Sequence, residues 1–259
     1  MDRPSNAYWD AGIVFGAAAV LSYGLYRLFR PSPAQAAIGG CPEQSPQDFL
    51  IRSNYLKDPA LFKKAVDYRT AHYGYFPGFG DPSLNDHPPS FYAAKTSFFG
   101  VPVTLNQKVI SALKCVEQAI LQDCASTPYQ PQALSGLRMA NSYHDFEVSN
   151  HVYGIALDVD PIRNPCCGCT PGPAGPQNPI CQELDTGPYS RMAMPECWVH
   201  AFERYGWYWL GHDVLRDKMH FEFLGDPDLL PSVSVPKPTA SMALQNLSSG
   251  QDYGPYPYE

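Results

Sequence analysis

The chain of 259 residues reads as an α+β domain: a small antiparallel sheet flanked by helices, with an apolar N-terminal helix ahead of it. Three observations carry that reading. The stretches Ile155 to Asp160 and His220 to Phe223 alternate apolar and polar residues, as half-buried strands do. Residues 104–122 repeat Val109, Leu113, Val116 and Ile120 at the spacing of one helix face. The run from Ala11 to Tyr26 carries no charge and, extended by Leu28 and Phe29, approaches the roughly 20 residues that a membrane helix needs.

Taken in order, residues 1–30 are expected to be a membrane anchor or a signal-like segment. Ala34-Gln35-Ala36 offers a small-x-small cleavage site, so a cleaved leader stays open. Arg27 and Arg30 lie just after the apolar run, and the positive-inside rule would keep the rest of the chain in the cytoplasm. Residues 31–45 read as a linker to a domain over 46–230. Residues 46–75 look partly helical, and 73–89 form a loop rich in Gly, Pro and aromatics. In the 104–122 helix, Ile110 and Leu121 widen the apolar stripe, and Thr104 or Asn106 would cap it. Residues 196–205 predict a second helix with Val199 and Phe202 inward and Gly206 as terminator. Trp207, Tyr208 and Trp209 are expected to wall a cleft, with at least one packing in the core. Residues 231–259, rich in Pro, Ser and Tyr, lack the apolar content to fold alone.

Eight cysteines point to an oxidising compartment and several disulfides, against the arginine argument. Four of them, Cys166, Cys167, Cys169 and Cys181, sit in a Pro/Gly-rich insert over 163–188. Disulfides are the favoured reading there and thiol-bound zinc the alternative; the pairing is not readable. A net charge of −7 with only 18 Lys and Arg shows no basic patch, so a nucleic-acid partner is not expected.

The chemistry concentrates in Ser149-Asn150-His151-Val152-Tyr153-Gly154-Ile155-Ala156-Leu157-Asp158 and in Asp217-Lys218-Met219-His220-Phe221-Glu222. His151, Asp158 and His220 are two imidazoles and one carboxylate, the ligand set of a catalytic zinc ion with an open fourth position. On one regular strand His151 and Asp158 would face opposite ways. They can share an ion only if the chain turns between them, and Gly154 is the place for that turn. Asp217, in the approach to the second strand, would be the proton carrier beside the attacking water. Ser149 reads as a hydrogen-bonding support rather than a nucleophile. His144 and Asp145 read as a solvated loop that could orient ligands.

The pattern Ser-x-His-x2-Gly-x-Ala-x-Asp, with Asp-x2-His-Phe-Glu much later, resembles the VanY-like zinc peptidases of peptidoglycan. The resemblance spans roughly residues 95–225. It includes Phe99-Gly100-Val101-Pro102-Val103-Thr104-Leu105-Asn106, Ser135-Gly136-Leu137-Arg138, Asp158-Val159-Asp160-Pro161 with Asn164-Pro165, and Tyr205-Gly206-Trp207-Tyr208-Trp209-Leu210-Gly211. It implies a hedgehog-like fold, one catalytic zinc on His151, Asp158 and His220, Asp217 as general base and acid, and Arg138 against substrate. An Asp at the base position, ahead of His-Phe-Glu, resembles the L-alanyl-D-glutamate endopeptidases more than the D-alanyl-D-alanine carboxypeptidases. The Gln expected a few residues after Arg138 is missing from Met139-Ala140-Asn141-Ser142-Tyr143-His144. The implied substrate is a peptidoglycan peptide, and the expected setting is anchored to a membrane through residues 11–29 or secreted toward the cell envelope. A phage or virion lysin is a further setting. A non-enzymatic wall-binding or virion module on the same fold is the competing class, and it would have no need of Asp217.

Overall fold

A computed structural model of the chain describes residues 40–143, 147–169 and 172–231. The expected N-terminal helix, most of the linker, His144, Asp145 and the tail from 232 lie outside the described residues. Among the described residues, no helix is long and apolar enough to cross a membrane.

The elements in chain order are helices α1 (Arg52–Tyr55) and α2 (Pro59–Tyr73), a hairpin of β1 (Ala93–Phe98) and β2 (Val101–Asn106), and helix α3 (Ile110–Asp123). Then come β3 (Leu134–Ser135), β4 (Ala156–Val159), helix α4 (Glu196–Arg204), β5 (Trp207–Trp209) and β6 (His220–Phe223). The last four strands form one antiparallel sheet in the order β3-β4-β6-β5. This is the α+β arrangement expected, with the two strands richest in chemistry side by side at its centre. β4 and β6 are buried along their whole lengths.

The helix expected over 104–122 begins later. Thr104 to Asn106 are consumed by β2, where Thr104 pairs with Lys95 and Asn106 with Ala93. Asn106 then accepts from the Lys108 N–H and turns the chain through a short 3-10 segment into α3. The stripe of Val109, Ile110, Leu113, Val116 and Ile120 is buried, but Leu121 is 64 % exposed and does not widen it. Helix α4 matches its expectation: Val199 and Phe202 are buried, and Gly206 comes next with φ +82. Phe202 stacks on Phe221 at 4.0 Å between ring centres, which fixes α4 against the back of the sheet. Trp207 and Trp209 are fully buried in the same core and wall no cleft; only Tyr208 of the three is partly exposed. Strand alternation explains this, because 207 and 209 share the inward face.

All eight cysteines pair, as Cys41–Cys115, Cys124–Cys197, Cys166–Cys169 and Cys167–Cys181. The first two close loops with separations of 74 and 73 residues, the third one of only 3. Loop-closure entropy gives about 4.5 kcal/mol for each long loop and about 2 kcal/mol for the shortest. Replacing Cys41 and Cys115 by serine should therefore lower the unfolding free energy by about 4 kcal/mol in non-reducing denaturant titration. The same change at Cys166 and Cys169 should cost no more than about half of that. Equal losses would show that the long bridge does not act through the unfolded chain.

Candidate metal centre

The three candidate ligands reach one point by three local devices. Asp158 and His220 are direct cross-strand partners on β4 and β6, so their side chains are neighbours on one face of the sheet. His151 comes from a tight turn before β4, in which Val152 N–H donates to the Ser149 carbonyl and Gly154 N–H to the His151 carbonyl. Gly154 has φ +68, and any Cβ there would lie 2.7 Å from the Asn106 nitrogen. The turn expected at this glycine is thus enforced twice, by backbone angle and by the close approach of β2. Ser149 Oγ accepts from the His151 N–H at 3.4 Å, a support for the turn. On the approach to this turn, Arg52 of α1 holds Glu147 through two hydrogen bonds of 2.7 and 2.9 Å.

The side-chain atoms form a small triangle. His151 Nε2 lies 3.2 Å from Asp158 Oδ1 and 3.2 Å from His220 Nδ1, and His220 Nδ1 lies 2.8 Å from Asp158 Oδ1. Neutral rings alone do not account for it. The other nitrogen of His151, Nδ1, faces the Gly136 carbonyl at 2.6 Å and must donate to it. The other nitrogen of His220, Nε2, faces Glu222 Oε1 at 3.0 Å and donates there. When both rings are neutral, each turns a bare lone pair toward the other and toward an acceptor oxygen. Three converging acceptors call for one positive charge at their centre, which a proton on His220 or a bound metal ion supplies. Ligands about 2.0–2.1 Å from a tetrahedral ion lie about 3.3 Å apart, close to the edges of this triangle. The donor set fits zinc, and these three groups could hold a metal ion.

The electrostatics agree. Burial works against a charge on His220, yet hydrogen bonds to Asp158 and Glu222 hold its imidazolium up to about 10. Burial pulls His151 below the ordinary imidazole value, with Asp158 opposing. Burial also works against the Asp158 carboxylate, but His151 and His220 outweigh it and keep Asp158 well below the usual range. The pocket thus favours one added positive charge. Glu222 is the residue that sequence reasoning passed over as a partner of the site. The signal was available, since residues two apart on a strand share a face and His220-x-Glu222 is such a pair. Glu222→Gln should weaken metal binding by about 10–100-fold, as read by competition with a chelator; unaltered affinity would remove it from this role.

Asp217 lies where expected, in the loop before β6. Trp209 Nε1 donates to the Lys218 carbonyl at 2.9 Å and anchors that loop on the core. Asp217 Oδ1 is sealed from solvent and meets no hydrogen-bond donor among the described residues. Burial pushes its carboxyl up to about 7, with the His220 charge opposing and Asp158 adding to the rise. Arg138 reaches the rim of the triangle, its Nη2 4.0 Å from Asp158 Oδ2, while its Nε is buried without a described partner. The structure brings His151, Asp158 and His220 together, with Arg138 at 4.0 Å from Asp158 and Asp217 within electrostatic reach of His220 and Asp158.

Beyond the trio, Asp160 and Asn164 fix the exit from β4. Asp160 accepts from the N–H groups of Gln132 and Ala133 at 2.7 Å each. Asn164 donates to the Val159 carbonyl at 2.8 Å and to the Tyr129 hydroxyl at 3.1 Å, and accepts from Ala193 and Met194 N–H. No curated protein and no solved structure matches the chain. A family model described as D-alanyl-D-alanine carboxypeptidase does match, over residues 144–223. That span contains the metal trio, Asp217 and Glu222 together, and the match supports the VanY-like family of zinc peptidases as the family that residues 144–223 resemble.

Proposed function

We propose that the protein is a zinc-dependent peptidase that hydrolyses peptidoglycan stem peptides, cutting the L-alanyl-D-glutamate bond. The observation that carries this reading is the triangle of three bare donor atoms with a sealed, donor-free carboxylate oxygen of Asp217 nearby. His151, Asp158 and His220 would hold the ion. A bound zinc supplies Lewis acidity to the water that attacks and to the scissile carbonyl. The remaining work falls to the chain. Asp217 accepts a proton from the attacking water at its free oxygen and returns it to the leaving nitrogen. Arg138 directs its fork toward the substrate carbonyl or a carboxylate beside it. Gly136 and Glu222 keep the two imidazoles turned so that the correct nitrogens face inward.

The choice of bond rests on Asp, rather than Glu, at position 217 and on the His-Phe-Glu just beyond it. The family description favours the second reading, a D-alanyl-D-alanine carboxypeptidase, for which Arg138 would clamp the terminal carboxylate. Mass spectrometry of digested muropeptides separates the two. Endopeptidase action should release peptides with a new N-terminal D-glutamate. Free D-alanine as the sole product would replace this reading with the carboxypeptidase. The four disulfides support an enzyme exposed to an oxidising space, anchored by residues 11–29 or secreted.

A further inference from the structure

A second group of ligand-type side chains meets at the same loop, on the side of the insert. Cys166 and Cys169 are joined as a disulfide. Their sulfurs and a carboxylate oxygen of Asp217 all lie within 4.8 Å of one another. Cys166 is buried, with Sγ 3.6 Å from the Leu215 carbonyl, while Cys169 reaches solvent. The Asp217 Oδ1 atom meets no donor among the described residues.

Among the four bridges this one is suited to open and close. It spans three residues, so it restrains the unfolded chain least. Its partners have Cys-x-x-Cys spacing, in which the second thiol stands ready to resolve a mixed disulfide. Its outer partner, Cys169, is a residue that solvent reaches, as exchange requires. Once opened, two thiolates and a carboxylate are a three-ligand set for a borderline or soft divalent ion, and Cys-x-x-Cys is a spacing that zinc sites use.

We propose that Cys166, Cys169 and Asp217 form a second cation site, separate from the histidine centre, that exists only when the Cys166–Cys169 disulfide is reduced. The reductant is a dithiol. One of its sulfurs attacks Cys169 Sγ and Cys166 leaves as thiolate; its other sulfur then displaces Cys169 and the reductant ends as a disulfide. Two electrons and two protons pass to the pair, and binding of a divalent ion releases both thiol protons to solvent. An ion held there ties up Asp217. That consequence for hydrolysis rests on the role given to Asp217 above; the cation site itself does not.

Cobalt(II) is the probe, because thiolate ligands give it a charge-transfer absorption that nitrogen and oxygen ligands do not. The full chain as isolated should bind one equivalent without that band. After mild dithiol treatment, with alkylation mapping confirming that Cys166 and Cys169 alone are open, it should bind a second equivalent with the band. Cys166→Ser/Cys169→Ser should stay at one equivalent without the band after the same treatment, and Asp217→Asn should lose the second equivalent at matched cobalt. A reduced wild type that binds no second equivalent, or a band that survives in the double-serine variant, overturns the site. Peptide hydrolysis by the oxidised protein is measured separately. Its absence would count against the peptidase reading and leave the absorbance result standing.

Discussion

Asp217→Asn should lower kcat/KM for stem-peptide hydrolysis by about a thousandfold while metal content stays at one ion per chain. The amide keeps the shape of the carboxylate and cannot accept the proton. The wild-type carboxyl is pushed up to about 7 by burial, so activity of the wild type should rise with pH on an acid limb at or below about pH 7, because a bound cation favours the ionised form. Stability runs the other way. The folded value lies above the ordinary 3.8, so the contribution of Asp217 is fully present below about pH 4 and is lost as pH rises through about 7. Metal-free Asp217→Asn should therefore lose less stability than metal-free wild type between about pH 4 and 7, by at most about 4 kcal/mol. Full activity in Asp217→Asn would remove the residue from proton transfer.

His151→Ala should abolish both metal binding and hydrolysis. The ring is fully buried and contributes one of three converging donors. Its removal leaves Asp158 and His220 with one partner fewer and a void beside the Gly136 carbonyl. Two donors are too few to hold zinc against solvent, so metal analysis after dialysis should find well under one ion per chain, and turnover should fall to background. The stability of the metal-free protein should also drop, by about 2–4 kcal/mol for a buried ring lost to a cavity. A variant that keeps its metal would show that the ion sits elsewhere.

The parts of the site that the sequence displayed are those encoded within a few residues. The odd separation of His151 and Asp158 requires a turn, and Gly154 between them supplies it. The alternation around His220 places it on a strand, and its pairing with Asp158 comes from two adjacent antiparallel strands. What stayed hidden was set by distant chain. Thr104 to Asn106 look helical beside the apolar stripe, yet the partner strand β1 claims them. Leu121 fits the periodicity and still faces water. Trp207 and Trp209 could line a cleft as readily as a core until Phe202, Phe221 and Phe223 pack around them. The cysteine pairing, and the approach of Cys166 and Cys169 to Asp217, depend on where a long insert returns, which no local spacing records.

Asn164 stands at the mouth of that insert and spends every polar atom of its amide there: two hydrogens outward to Val159 and Tyr129, and the oxygen on Ala193 and Met194. The outgoing and returning chains are thereby pinned to each other by a single side chain. Whatever hangs beyond such a pin can lengthen, shorten or change composition without tugging on Asp158. Asp217 is not decoupled in this way, because Cys166 and Cys169 of the same insert lie against it.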